Sequence, residues 1–98
     1  MKNLEIKSLA LRLRELRENA NLMQREVGAI IAVDGAFISK VENGEKPINR
    51  DHLKALSEFF NIPENALQTL WLSDKIYNLT KDEPSAIEAL KTTLKRIN

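Results

Sequence analysis

Residues 24–43, QREVGAIIAVDGAFISKVEN, decide the fold of this chain of 98 residues. Val27 and Ile31 stand one helical turn apart, so they share one face of a first short helix. Ile38 and Val41 share one face of a second helix in the same way. The break between the two patterns is too short for an independent loop. The stretch therefore predicts two short helices that meet at a steep angle across a tight turn.

The residues around this break support that interpretation. Val33 lies in the break, where its side chain can fill the angle between the helices. Asp34 precedes the second helix, and its carboxylate is predicted to accept hydrogen bonds from the first free backbone N–H groups. Two helices joined by a turn of about three to four residues form a helix-turn-helix, whose second helix can enter a DNA major groove. The predicted outward residues are small, polar or cationic, apart from one aromatic: Gln24, Gly35, Ala36, Phe37, Ser39, Lys40 and Asn43.

Composition describes a small globular chain. Hydrophobic residues make up 43% of it and charged residues 30%, which is too much apolar content for a disordered chain. The absence of cysteine excludes disulfides and thiolate metal sites. No apolar run is long enough to span a bilayer or to form the core of a secretory signal, so we expect a cytoplasmic protein. The net charge of +1 does not exclude nucleic-acid binding, because a local basic face can exist within a balanced total.

Further helices are predicted on both sides of the central stretch. Residues 1–8 are mixed and are expected to fray or to form an arm, and apolar spacing then predicts a first helix over about residues 7–20. Asn21 and Asn61 are predicted to end the first and fourth helices in a left-handed conformation. A fifth helix follows Pro63, and a sixth is predicted from Pro84 to about residue 96. No strand pattern appears, so the predicted fold class is all-α.

The fifth helix is more apolar than a small core requires. Leu70, Trp71 and Leu72 cover more than one helical face, and such an excess usually marks a partner surface. One helix-turn-helix contacts only about half a turn of DNA, and dimers on paired half-sites are the usual remedy. We therefore predict a two-fold interface around Trp71 that includes Leu70, Leu72 and Tyr77, with help from the sixth helix. In this interpretation residues 1–62 form the DNA-binding core, and residues 63–98 pack on it and dimerise.

Residues 11–44, LRLRELRENANLMQREVGAIIAVDGAFISKVENG, resemble the helix-turn-helix domains of the Cro and lambda-repressor type, often called the XRE family. The resemblance continues to about residue 62 and implies a five-helix lambda-repressor-like domain, to which this chain adds a C-terminal helix. A glutamine commonly opens helix two in this family, and Gln24 stands there. The family's ion pair between helix one and helix three would join Arg17 to Glu42.

Two residues depart from the family pattern. Gly28 replaces the usual alanine inside helix two and is expected to weaken that helix by about 1 kcal/mol. Ala32 replaces the usual glycine of the turn, where a positive φ would be strained.

The last third, from residue 67 to residue 91, is similar to a tail found on a subset of these regulators. That subset is often encoded beside DNA methyltransferases, as are the controller proteins of restriction-modification systems.

Several residues are candidate contacts to double-stranded DNA. Gln24 opens helix two, whose N-terminus favours phosphate, and its side chain can bond either a phosphate or a base edge. Lys40 lies one turn beyond Ala36 on the outward face and can reach guanine acceptors or a phosphate. The resemblance places Gly35 and Ala36 at base-reading positions, where these small residues offer contact to a thymine methyl or close approach of the backbone.

The remaining candidates flank the second helix of the motif. Phe37 packs either on a thymine methyl or sugar, or in the core. Ser39 and Asn43 are predicted phosphate ligands, with Lys46 and Arg50 beside them. The family pattern also implies that Arg50 can reach toward the minor groove.

No residue set in the sequence has the spacing of a catalytic or metal site. We therefore expect no enzyme, no metal, no cofactor and no small-molecule ligand. The favoured function is a homodimeric, sequence-specific regulator of transcription on a pseudo-palindromic operator, with control of restriction-modification genes as a narrower version. The alternative is a protein-interaction module of the same fold, either antitoxin-like or an accessory subunit, because Gly35 and Ala36 are weak base readers.

Overall fold

The computed structural model describes residues 8–98, and within this range the chain forms six α-helices and no strand. Their order is α1 (Leu9–Asn19), α2 (Gln24–Ile30), α3 (Gly35–Glu42), α4 (His52–Phe60), α5 (Glu64–Thr80) and α6 (Ala86–Ile97). The predicted all-α class and number of helices are confirmed. The expected N-terminal arm, apart from Ser8, lies outside the described residues, as does a helix start at residue 7. No helix within residues 8–98 has the length and apolar character needed to cross a membrane.

Local backbone signals place the helix ends. The Ser8 hydroxyl oxygen caps α1 by accepting a hydrogen bond from the Leu11 backbone N–H at 3.2 Å. Asn21 and Asn61 take left-handed φ values of 57° and 55°, as predicted for the stops after α1 and α4. Ala32 has a φ of 60° in the turn between α2 and α3. An alanine is strained in this conformation, so the turn is held by its surroundings and not by local preference.

The core lies where the first five helices meet. Leu53, Leu56 and Leu67, at the contact between α4 and α5, are 0% exposed. All four residues that define the two apolar stripes of residues 24–43 are buried, which confirms that pattern. The other buried apolar side chains come from α1 and from the loop after α3: Leu9, Leu13 and Ile48. The helix-turn-helix pair is therefore held from behind by α1, α4 and α5.

Gly28 is required by the turn between α2 and α3. A Cβ atom at this position would lie 2.5 Å from the carbonyl oxygen of Val33, which is too close for any side chain. The carbonyl oxygen of Gly28 also accepts hydrogen bonds from the backbone N–H groups of Ile31 and Val33, at 3.1 and 2.9 Å. The interpretation of Gly28 as a residue that simply weakens α2 is therefore incomplete. The missing side chain lets the turn close onto its own helix.

The two C-terminal helices differ in how they meet the core. The Asp74 carboxylate, in α5, accepts a hydrogen bond from the Leu9 backbone N–H at the start of α1, at 3.1 Å. A carboxylate is favourable at a helix N-terminus, so this contact ties the second half of α5 to α1. In α6, by contrast, no residue is buried.

Candidate nucleic-acid interface

One face of α3 forms an exposed edge. Ala36, Lys40 and Asn43 are exposed and lie one above the other, because residues four and three positions apart share a helical face. Ile38 and Val41, on the other side of α3, are buried. The helix is thus anchored along one side and free along the other, and we call the free side the α3 edge.

Asp34 caps α3. Its carboxylate accepts a hydrogen bond from the Phe37 backbone N–H at 2.8 Å, which confirms the predicted cap. The anion is therefore engaged by the helix that follows it. A carboxylate beside a DNA-binding surface would be repelled by the phosphates. The capping hydrogen bond gives Asp34 a structural role that explains its presence there.

Gly35 does not belong to the α3 edge. It is half-buried, and a Cβ atom there would lie 3.2 Å from the backbone nitrogen and 3.3 Å from the Cα of Arg25. Gly35 therefore marks the point where α3 crosses α2. A side chain here would meet the neighbouring helix, so of the two expected roles of Gly35 the close approach of the backbone to DNA stays a prediction.

Phe37 packs against the core and carries a cation on its ring. The side chain is half-buried against the core cluster, and the Lys46 Nζ lies 5.1 Å from the ring centroid. Phe37 thus packs on the core while staying partly exposed, and its contact with a thymine methyl or sugar stays a prediction. Ser39 is half-buried beside the α3 edge, and Lys46 is exposed on the loop that follows α3.

Arg17 and Glu42 form the ion pair that the resemblance implies. Arg17 donates from Nε to one carboxylate oxygen at 2.7 Å and from Nη2 to the other at 3.0 Å. The Glu42 side chain is only 3% exposed, and that of Arg17 is 14% exposed. Gln24 donates from Nε2 to the same carboxylate at 3.1 Å. One buried carboxylate therefore joins α1, α2 and α3.

This network shifts the pKa of Arg17 and occupies part of the Gln24 amide. The hydrogen bond to Glu42 raises the pKa of Arg17 further above its ordinary value, although burial opposes the shift. A base whose pKa is raised on folding stabilises the fold below that pKa and loses this contribution as the pH rises through it, so the Arg17 contribution is present at neutral pH. Gln24 is half-buried, with one amide N–H already engaged. Its predicted phosphate contact would have to use the remaining amide atoms.

Trp71 lies between two cations. The Arg50 Cζ is 4.9 Å from the ring centroid, and the Lys75 Nζ is 4.5 Å from it. The indole N–H donates to the carbonyl oxygen of Ile48 at 3.0 Å. Arg50 also donates from Nε to the Gln68 side-chain oxygen at 2.8 Å. Arg50 is therefore held in place by α5, beside the loop that follows α3.

These contacts argue against a two-fold interface centred on Trp71. Leu70 and Trp71 pack against the core, whereas Leu72 and Tyr77 are exposed. The helical period explains the division, because Leu70 and Trp71 follow the buried Leu67 by three and four positions and share its face. Of the four predicted interface residues, two therefore pack inside the protomer and two remain exposed for contact with a partner.

Two partners of these residues were not predicted from the sequence. Lys75 follows Trp71 by one helical turn, and this spacing is a signal that could have indicated the contact. Gln68 meets Arg50 from a separate element, and no local pattern indicates that pair.

Trp71→Phe is expected to lower the free energy of unfolding by about 1–2 kcal/mol. The change removes the indole hydrogen bond, worth about 0.5–1.5 kcal/mol, and weakens cation contacts worth about 0.5–1 kcal/mol each. Urea denaturation followed by circular dichroism measures the loss. Tyr77→Phe on the same helix is the matched control, because it alters an exposed aromatic. Equal losses in the two variants would contradict a positioning role for Trp71.

His52, the only histidine in the chain, is half-buried at the first position of α4. Its Nδ1 has no hydrogen-bond partner. Within residues 8–98, no group of three or more histidine, cysteine, aspartate or glutamate residues is placed to hold a metal ion.

Comparison with known proteins places this geometry in a family. A family model described as a helix-turn-helix domain matches residues 8–70, which is more than half of the chain. The chain therefore belongs to this helix-turn-helix family. No curated protein sequence matches the chain significantly.

A solved structure shares the fold. The chain is similar to the P22 c2 repressor protein, whose crystal structure holds it in complex with synthetic operator 9T in the presence of Tl+. The TM-score is 0.57 and the identity 26%, over 63% of this chain and 94% of that chain. The two matches confirm the lambda-repressor-like fold and the resemblance to the XRE family of regulators. They also agree with the expectation that the chain is not an enzyme.

Proposed function

We propose that this chain is a DNA-binding regulator of transcription that acts as a homodimer on a pseudo-palindromic operator. The observation that carries the proposal is the exposed α3 edge on the second helix of a helix-turn-helix pair. An α-helix of this kind fits the DNA major groove, which is about 12 Å wide. The operator complex of the P22 c2 repressor, a protein of similar fold, supports the same role here.

Cations beside the α3 edge supply the proposed phosphate contacts. Lys46 and Arg50 are exposed, and each lies over an aromatic ring of the protein. A side chain already held in one direction loses less conformational entropy when it meets a phosphate. Such contacts set the register of a protein on the duplex and provide most of the salt-dependent affinity.

A few side chains on α3 are proposed to select the DNA sequence. Lys40 can donate to guanine O6 and N7, and Ala36 can contact a thymine methyl. Asn43 and Ser39 are proposed phosphate ligands, and Gln24 contributes from the start of α2. Because the first turn of α3 has few polar side chains, DNA shape and deformability are expected to add to selection.

Lys40→Ala is expected to weaken operator binding about tenfold and to reduce the salt slope of binding by about one unit. The reason is the loss of one cation from the α3 edge. Fluorescence anisotropy with DNA from upstream of the chain's own gene, at several salt concentrations, measures both quantities.

Arg14→Ala is the matched control for that experiment. Arg14 is an exposed cation of α1 that pairs with Glu18 and lies outside the α3 edge. Its removal is expected to leave affinity within about twofold of the parent, since α1 carries no proposed DNA contact. If both variants bound equally well, the proposed use of α3 would be wrong.

The division of labour along the chain is part of the proposal. Residues 1–62 carry the DNA-binding core, and residues 63–98 carry the dimer contacts. A narrower version assigns the regulated genes to a restriction-modification system, on the likeness of residues 67–91 to the controller proteins. Footprinting tests this version, because it requires an operator beside a methyltransferase or restriction gene.

A protein-interaction module of the same fold is the second candidate, antitoxin-like or an accessory subunit. Two observations favour it: Ala36 offers no polar group to a base, and α6 is amphipathic without burying any residue. Size-exclusion chromatography with and without upstream DNA separates the candidates. A chain that ignores DNA at low salt and elutes with a protein partner would support the second.

A further inference from the structure

α6 carries an apolar stripe that the described part of the chain leaves largely open. Ile87, Leu90, Leu94 and Ile97 follow one another at intervals of three, four and three residues, and they are 40% to 76% exposed. This alternation is the spacing with which two helices pack side by side along a seam. Because none of the residues of α6 is buried, the seam has no complete partner within the protomer.

A second stripe lies on the outer side of α5. Leu72, Ile76 and Leu79 share one face, at intervals of four and three residues, and are 48%, 40% and 78% exposed. Leu67, on the opposite side of the helix, is 0% exposed. α5 therefore covers the core with one face and offers the other. The α5 and α6 stripes hold seven of the eleven large apolar side chains that are exposed within residues 8–98.

The length of α6 indicates that its stripe is too small to form a stable interface without the α5 stripe. α6 has 12 residues and is about 18 Å long, too short for a stable two-helix coiled coil by itself. A stable two-fold interface buries on the order of 800 Å² of each partner. Only residues 81–85 connect α5 to α6, so the α5 stripe is a second exposed apolar face close to α6 along the chain, and an interface of that class needs both stripes.

The charges along α6 indicate what covers it. Asp82 and Glu83 precede the helix, and Glu88 lies in its first turn. Lys81 also precedes it, Lys91 pairs with Glu88 at 3.7 Å, and Lys95 and Arg96 lie in the last turn, so the second half of the helix is basic and the start has an acidic excess. In an antiparallel pair related by a two-fold axis, the acidic start of each helix lies against the basic end of the other. A parallel pair would place like charges together, so the helix is electrostatically complementary to a reversed copy of itself.

We propose that α6 and the outer face of α5 bind the same surface of a second copy of this chain, with the two α6 helices antiparallel. The inference rests on the proposed function, which needs two copies to contact two half-sites. It replaces Trp71 as the centre of the interface with the aliphatic stripes of α5 and α6. Leu72, one of the four residues first expected there, remains part of it.

The first test is the oligomeric state of the full chain without DNA, by sedimentation equilibrium. The parent is expected to be a dimer at micromolar concentration, and Leu94→Lys is expected to weaken it by at least about tenfold, because a lysine would enter an apolar seam. Leu11→Lys, at another exposed leucine outside both stripes, is the control. A monomeric parent, or equal dissociation constants for the two variants, would overturn the proposal.

The second test addresses the antiparallel arrangement by charge exchange. One variant carries Lys95→Glu and Arg96→Glu, and the other carries Glu83→Lys and Glu88→Lys. Each is expected to dimerise more weakly than the parent, and an equimolar mixture is expected to recover a heterodimer at low salt. Circular dichroism verifies that the variants are folded. Variants that dimerise as tightly as the parent, with a mixture tighter than the parent, would indicate a parallel pair and refute the antiparallel arrangement.

These measurements also separate this inference from the proposed function. A dimer with the expected variant behaviour that does not bind DNA would support the interface and refute the regulator. A monomer that binds operator DNA with the expected Lys40 dependence would support DNA binding through α3 and refute the interface. A wild-type chain found as a monomer and joined through α6 to a different protein would also overturn the second-copy assignment.

Discussion

Replacing Arg17 by alanine is expected to lower the free energy of unfolding by about 3–5 kcal/mol, the largest effect anticipated for a single substitution in this chain. The Glu42 side chain is 3% exposed and accepts two hydrogen bonds from Arg17, at 2.7 and 3.0 Å, while a third from Arg17 goes to the Leu22 carbonyl oxygen at 2.9 Å. Without the guanidinium, a carboxylate would remain in the interior with only the Gln24 amide as a side-chain donor. Urea denaturation at neutral pH, followed by circular dichroism, measures the loss.

Arg14→Ala provides the comparison for Arg17. Arg14 also pairs with a glutamate from α1, but the side chains of Arg14 and Glu18 are 52% and 54% exposed. Exposed pairs contribute about 0–1 kcal/mol because solvent screens them. If the two substitutions cost the same, burial of the Glu42 carboxylate would not govern the stability of the pair.

A double substitution distinguishes the buried charge from the lost packing. Arg17→Met together with Glu42→Leu removes both charges while retaining much of the apolar volume. Replacing a buried ion pair in this way is often neutral or stabilising, so the double variant is expected to be more stable than Arg17→Ala. Operator binding by these variants measures a second effect, the loss of the anchor for α3. Glu42 lies at the end of α3, and its pair with Arg17 holds that helix to α1.

Gly28→Ala is expected to destabilise the fold by about 2–3 kcal/mol, within the range for overpacking of a close contact. Helix propensity alone predicts the opposite sign, a gain of about 1 kcal/mol for alanine over glycine. Contact decides the sign, since the added Cβ would lie 2.5 Å from a backbone oxygen of the turn that cannot rotate away. Thermal and urea denaturation both measure the change.

Ala29→Gly is the matched control in the same helix. Ala29 is exposed beside Gly28, so this reverse substitution tests propensity without close contact and is expected to cost about 1 kcal/mol. Gly28→Ala is also expected to weaken DNA binding in the fraction that remains folded, because relieving the contact changes the angle between α2 and α3. A stabilised Gly28→Ala variant would show that the turn has room for a side chain.

Helix order and helix ends were largely readable from the sequence. Apolar residues at helical spacing identify a buried face wherever one side of a helix meets a core, because the period of the chain is local. The asparagine stops at Asn21 and Asn61 are local as well, since they depend on the conformational range of one residue. α6 begins at Ala86 and not at Pro84, a difference of the size expected at helix ends.

The candidate site was readable only in part. Lys40 and Asn43 were placed on the outward face of α3 by periodicity, and the structure leaves them exposed. The pair of Arg17 with Glu42 came from the family resemblance, since no spacing relates residues in separate helices. The close approach of Gly35 to Arg25 could not be predicted for the same reason, because it depends on the angle at which two helices cross.

The sequence by itself determined six helices, the buried faces of α2 and α3, and the membership of residues 24–43 in a helix-turn-helix pair. Tertiary structure alone decided which side of α5 covers the core, and hence that Trp71 holds Arg50 inside the protomer while Leu72 faces outward. It also decided that Gly28 is required and not merely tolerated. The physical reason is that a helical period is set by neighbouring residues, whereas crossing angles and contacts between helices depend on the packing of the whole core.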